Sequence, residues 1–114
     1  MKLHAIWRFI GADNEVYKIG IHTAEPIRER RSPERVAKEV EAKVTQTLKK
    51  KKFPVVLGGE HSVSIGAFKA FADFYKDSDF TILQFDAHAD MRQEYEGSKY
   101  NHACVMARAS EWAP

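Results

Sequence analysis

Two short apolar runs, separated by an amphipathic segment, constrain the fold of this chain more than any other feature. The run at residues 53–57 is almost wholly apolar and stops at a pair of glycines, and a second apolar run covers residues 80–85. Continuous apolar runs of this length are typical of strands in a parallel sheet that is covered on both faces. The sequence therefore predicts an α/β fold with a largely parallel sheet, in which both runs are buried neighbours.

Helical patterns flank these two runs. Ser32 and Pro33 form a helix-start signal, and one face of the following segment carries Val36, Val40, Val44 and Leu48. A second helix is predicted between the two apolar runs from the spacing of Ile65, Phe68, Phe71, Ala72 and Tyr75, with Ser62 as its cap. A hairpin of strands is predicted at residues 3–10 and 16–21, and a last helix at residues 101–112.

Length and composition limit the class of protein. The 114 residues are enough for one domain, and the formal net charge of +2 is too small to argue for nucleic-acid binding. No segment approaches the roughly 20 apolar residues that a membrane-spanning helix needs. Cys104 is the single cysteine, so an internal disulfide is impossible and a cytoplasmic location is expected. His4, His22 and Cys104 are interpreted as structural.

Polar residues with metal-binding chemistry follow both apolar runs. Asp86, His88 and Asp90 alternate directly after the second run, and His61 follows the glycines after the first. The carboxyl ends of parallel strands share one edge of a sheet, so these four side chains are expected to converge there. Mixed imidazole and carboxylate ligands suit Mn²⁺ or Zn²⁺. The alternatives are a polar loop with capping aspartates and a structural histidine.

Two further residues are candidates for supporting roles. Glu60 is either an acceptor that orients a neighbouring metal ligand or a solvent-exposed acid. His102 is either a proton shuttle, because an imidazole titrates near neutral pH, or a histidine at a helix start with no catalytic role. Spacing alone leaves both choices open.

Three segments of the sequence resemble the ureohydrolases, the family of arginase and agmatinase. They run from Val55 to Ser62, from Phe85 to Asp90 and from Glu94 to Cys104, in the family's order and at its intervals. The Glu94-Tyr95-Glu96-Gly97 stretch looks more like agmatinase than arginase. The resemblance covers roughly residues 54–108. It implies a three-layer arginase/deacetylase-like fold with a largely parallel sheet, of which residues 1–114 form a single partial domain.

The resemblance also implies a hydrolase with two manganese ions. His61, Asp86 and Asp90 would hold one ion and His88 the other, with Asp86 bridging the two. The paired ions would activate the water that attacks the guanidinium carbon, and His102 matches the family's proton-shuttling histidine. With agmatine as the small guanidino substrate, the products would be urea and putrescine, in polyamine biosynthesis.

The family completes both metal sites with two aspartates in a Ser-x-Asp-x-Asp pattern, whereas this chain has no aspartate after Asp90. We therefore expect a truncated domain with an incomplete site, low activity by itself, and unpaired strands that favour homo-oligomers. Two alternatives are an arginase or another guanidino hydrolase, and a non-catalytic remnant that serves as an interaction module.

Overall fold

The computed structural model describes residues 20–78 and 80–112. Within these residues the helices are α1 (Pro33–Lys49), α2 (Val63–Phe74) and α3 (Val105–Ala109), and a 3₁₀ turn (His102–Cys104) leads into α3. The strand predicted at residues 3–10, His4 within it, and most of the strand predicted at residues 16–21 lie outside the described residues.

Helix α1 forms as its sequence predicts. The Ser32 hydroxyl accepts a hydrogen bond from the Arg35 backbone N–H at 3.3 Å, and Pro33 occupies the first turn. The helix ends at Lys49, the first of the four lysines. One face is buried, through Ala37, Val40, Val44 and Leu48. Because this face needs a partner, α1 packs against a second helix.

Helix α2 supplies that partner. Ile65 is 1% exposed and packs with Ala37 and Val105, so the three helices share one core. Gly66 lies at the crossing, where a Cβ atom would stand 2.1 Å from the Ala37 carbonyl oxygen. The two backbones therefore approach each other more closely than any other residue at position 66 would allow.

The start of α2 differs from the prediction. The Ser62 side chain makes no capping hydrogen bond to the helix. Its hydroxyl donates instead to the Glu60 carboxylate, which also accepts the Ser62 backbone N–H at 3.2 Å. The Ser62 hydroxyl therefore binds Glu60 and does not cap the helix.

The predicted parallel sheet is not confirmed. No strand occurs among the described residues, and residues 53–57 and 80–85 make no backbone hydrogen bonds with that part of the chain. The prediction that both runs are buried is wrong here, since Leu57 is 92% exposed and Phe85 is 90% exposed. Exposure alternates along the second run: Phe80, Ile82 and Gln84 are half-buried, whereas Thr81, Leu83 and Phe85 are exposed.

The last predicted helix is shorter than expected. Within residues 101–112 the chain forms the 3₁₀ turn and then α3, which ends at Ala109. Cys104 is fully buried, in agreement with a structural role. No helix within the described ranges combines the length and the apolar character needed to cross a membrane.

Candidate metal centre

Three of the predicted ligands converge at one point. The His61 Nδ1 atom lies 2.6 Å from Asp90 Oδ2 and 3.5 Å from Asp86 Oδ2. One donor atom from each of the three residues lies within 4.8 Å of the other two. Residues 29 positions apart in sequence therefore form a cluster of one imidazole and two carboxylates.

The local backbone explains how this cluster forms. His61 lies in the turn before α2, where its carbonyl accepts the Ser64 N–H at 3.0 Å. Asp90 has a left-handed backbone with φ of 50°. Its carbonyl accepts the N–H groups of Met106 and Ala107 at 3.0 and 3.2 Å, so α3 holds Asp90 in place. Aspartate tolerates this conformation better than most residues.

Asp86 lies between two imidazoles. Its Oδ2 faces His61, and its Oδ1 lies 3.1 Å from His88 Nδ1. The His88 backbone N–H donates to Oδ1 at 2.8 Å and holds the pKa of the Asp86 carboxyl below its usual value. The side chains of His88 and His61 lower this pKa further. Asp86 is therefore ionised across the neutral range.

His88 does not join the cluster. Its side chain is 81% exposed and contacts Asp86 from the outside. In a fully extended segment Asp86, His88 and Asp90 would share one face, and the prediction was that a slight turn at the strand end brings all three around a common centre. The turn between Asp86 and His88, together with the left-handed Asp90, breaks that alternation.

The donor set of the cluster fits one divalent cation. The His61 Nδ1 atom faces carboxylate oxygens of Asp86 and Asp90, and two carboxylates this close repel each other unless a positive charge lies between them. A cation at this point would meet an imidazole nitrogen and two carboxylates, ligands that suit Mn²⁺ or Zn²⁺. The charge of the two carboxylates would balance that of the ion.

Glu60 and His102 lie next to each other. The Glu60 Oε2 atom is 3.9 Å from His102 Nδ1, and both side chains are more than half exposed. Glu60 accepts hydrogen bonds from Ser62, whereas His61 contacts the two aspartates. Glu60 was interpreted as an acceptor that orients a neighbouring metal ligand. Among the described residues it makes no hydrogen bond to His61, and it lies next to His102 instead.

Sequence reasoning missed two residues beside His102. The ring of Tyr95 lies with its centroid 5.7 Å from that of the imidazole, at 70° between the planes. The Arg92 guanidinium carbon lies 5.0 Å from the Tyr95 ring centroid. Gly97 was the available signal, because a glycine two residues after Tyr95 indicates a tight turn that would bring this segment back on itself.

Comparison with known sequences gives consistent matches. The family model described as "Arginase family" matches residues 5–113. The N(1)-aminopropylagmatine ureohydrolase of Synechocystis is 37% identical over 102 residues, which are 83% of this chain and 32% of that protein. The agmatinase of Halalkalibacterium halodurans is 41% identical over 78 residues, which are 68% of this chain and 26% of that protein.

A solved structure gives the same result. The agmatine ureohydrolase of Thermoplasma volcanium matches with a TM-score of 0.66 and 42% identity, over 76% of this chain and 28% of that one. The present chain thus spans about a quarter to a third of the length of these three relatives.

Proposed function

The chain belongs to the arginase family and has part of an arginase-like fold, and from this premise we propose that it contributes to an agmatinase-like site. This site would hydrolyse the guanidino group of agmatine to urea and putrescine. The observation that carries the proposal is the convergence of His61, Asp86 and Asp90 within 4.8 Å. Relatives named agmatinase and agmatine ureohydrolase support the choice of substrate.

Each residue of the cluster has a proposed task. His61, Asp86 and Asp90, which face one another, would hold one manganese ion. The second oxygen of Asp86 faces His88, and His88 would contribute to holding a second ion. When bound, the two ions would supply water activated for attack on the guanidinium carbon.

His102 is proposed to transfer a proton to the leaving amine. An imidazole exchanges protons at neutral pH, and that of His102 is 57% exposed on its side chain, so it can reach a substrate and solvent.

The exposed apolar runs support a larger assembly. Leu57, Leu83 and Phe85 expose at least three quarters of their surface, and apolar surface of this kind is normally covered in a folded protein. We take residues 53–57 and 80–85 to be strands of the parallel sheet in the complete arginase-like fold. In the isolated chain the same surface favours a homo-oligomer. A cytoplasmic location stays a prediction.

A chimera would test the proposed function. This chain replaces the matching part of the Thermoplasma volcanium agmatine ureohydrolase, and urea release from agmatine is measured with and without Mn²⁺. We expect activity in the chimera that His88→Ala abolishes, and little or no activity in the 114-residue chain alone. The chain alone has few carboxylates to hold two ions about 3.5–4 Å apart.

The same assay separates the alternatives. N(1)-aminopropylagmatine and arginine are supplied in place of agmatine, since relatives of this chain include an N(1)-aminopropylagmatine ureohydrolase. Faster release from arginine would favour an arginase. A folded chimera that binds Mn²⁺ and releases no urea from any of the three would favour a non-catalytic interaction module.

A further inference from the structure

The Tyr95 ring makes two contacts that the metal cluster does not require. It meets the His102 imidazole nearly edge to face, with ring centroids 5.7 Å apart, and it packs under the Arg92 guanidinium at 5.0 Å. Both arrangements are favourable for an aromatic ring, because its face is electron-rich and its edge is electron-poor. Arg92, Tyr95 and His102 thus form one connected set of side chains.

Backbone hydrogen bonds fix the position of this set. Tyr95 and Ser98 exchange two hydrogen bonds of 3.0 Å around a two-residue turn. The turn places Glu96 and Gly97 at φ of 49° and 75°, both in the left-handed region. The Arg92 N–H donates to the Ala103 carbonyl at 3.0 Å, directly beside His102.

The turn is also attached to the helical core. The Ser98 hydroxyl donates to Glu34 at 3.1 Å, in the first turn of α1. The Ser98 carbonyl accepts the thiol of the buried Cys104 at 3.7 Å, at the end of the 3₁₀ turn that begins with His102. Tyr95 and His102 are therefore held by the same short network.

His102 has little else to orient its ring among the described residues. The nearest carboxylate oxygen, on Glu60, is 3.9 Å away, which is beyond hydrogen-bonding distance. Proton transfer requires a donor held within a narrow range of positions. A half-exposed imidazole without a hydrogen bond would otherwise sample several rotamers.

We propose that Tyr95, supported by Arg92, is a positioning residue that orients the His102 imidazole. The catalytic meaning of this orientation rests on the proposed function, whereas the orientation itself does not. The Tyr95 hydroxyl has no part in it: the contact is made by the ring.

Nuclear magnetic resonance of the 114-residue chain tests the proposal without substrate or metal. The readouts are the nuclear Overhauser contact between the Tyr95 ring and the His102 imidazole, and the chemical shift of the His102 Cε1–Hε1 group. Tyr95→Leu should move this resonance towards that of the exposed His22, because the ring current is lost. Tyr95→Phe keeps the ring and should leave the resonance near its original position.

Arg92→Gln is a third variant, which tests the contribution of the guanidinium. It retains the backbone N–H of residue 92 and removes the positive charge over the Tyr95 ring. It should move the His102 resonance less than Tyr95→Leu does. The His22 resonance and the core methyl signals of Val40 and Ile65 serve as internal controls of folding. An unchanged His102 resonance in Tyr95→Leu, or an equal change in Tyr95→Phe, would overturn the proposal. The two proposals can fail separately. A chimera that releases no urea would contradict the proposed function, but the His102 resonance is measured in the 114-residue chain and does not depend on that assay.

Discussion

At the scale of single residues, the alternation of Asp86, His88 and Asp90 predicted a simpler geometry than the chain adopts. Asp86 and Asp90 meet at His61, as the common edge of two strands suggested. His88 turns outward, because its own N–H folds back on Asp86. A spacing rule assumes one backbone conformation, and such a rule fails where polar side chains hydrogen-bond to the neighbouring backbone.

Asp90→Asn tests the cluster as a metal site. The variant removes a charge and keeps the shape, and asparagine tolerates the left-handed conformation of position 90 as aspartate does. We expect Mn²⁺ affinity to fall by about tenfold or more, as measured by titration calorimetry on the chain. Asp73→Asn is the matched control, since Asp73 pairs with Lys69 on the surface of α2. Equal Mn²⁺ binding by both variants would refute the site.

Glu34 gives the chain a predictable response to acid. Its pKa is lowered by its own backbone N–H and by the Ser32 hydroxyl, with a further contribution from Ser98. A carboxyl with a lowered pKa stabilises the fold above the unfolded-state value of about 4.3, and this contribution is lost as the pH falls through the folded-state pKa.

The variant Glu34→Gln should therefore lower the melting temperature by about 1–4 °C at pH 7, the range for losing a negative charge from the first turn of a helix in a small domain. The difference from the parent chain should shrink as the pH falls through the folded-state pKa of Glu34, which lies below its usual value. Thermal unfolding followed by circular dichroism over a series of acidic pH values provides the measurement. A difference that stays constant throughout the series would show that the carboxylate charge is not responsible.

At the scale of elements, the helices were the most predictable part of the fold. The start of α1 depends on Ser32 and Pro33, which are local signals, and its buried face repeats every three to four residues. The start of α2 was less predictable, because Glu60 accepts hydrogen bonds from both the hydroxyl and the backbone N–H of Ser62. Competition of this kind depends on rotamers, which the sequence pattern does not give.

The crossing of α1 and α2 should not tolerate a side chain at position 66. A Cβ there would lie 2.1 Å from the Ala37 carbonyl oxygen and 2.9 Å from the Glu41 nitrogen, both backbone atoms that cannot rotate away. Alanine gains up to about 1 kcal/mol in helix propensity over glycine. A forced shift of two packed helices costs about 1–3 kcal/mol or more, so the clash should dominate.

Gly66→Ala is therefore expected to destabilise the chain in urea unfolding. Gly59→Ala is the control, because a Cβ at that position meets no atom within 4 Å. It should change the free energy of unfolding by less than about 0.5 kcal/mol. Similar unfolding midpoints for the two variants would mean that the helices separate easily at Gly66.

At the scale of the whole molecule, the two apolar runs show where sequence reasoning stops. Their composition indicates a covered sheet, and one side of residues 80–85 is half-buried. Burial of the other side requires contact with another apolar surface, which is supplied by another segment of the same polypeptide or by another chain. An apolar pattern predicts that a segment needs partners, and it does not say that this chain of 114 residues contains them.

A charge placed on the uncovered side should reduce self-association. Leu83 is 75% exposed, and it shares the outward side of its run with the exposed Phe85. If this apolar surface joins copies of the chain, a buried lysine without a partner would weaken the contact strongly. Leu83→Lys should shift the chain towards the monomer in light scattering after size-exclusion chromatography, while its helical circular dichroism stays the same.

Ala42→Lys adds the same charge at an exposed position of α1 and should leave association unchanged. A parent chain that is monomeric at high concentration, or equal association of the two variants, would show that residues 80–85 do not mediate contact between copies.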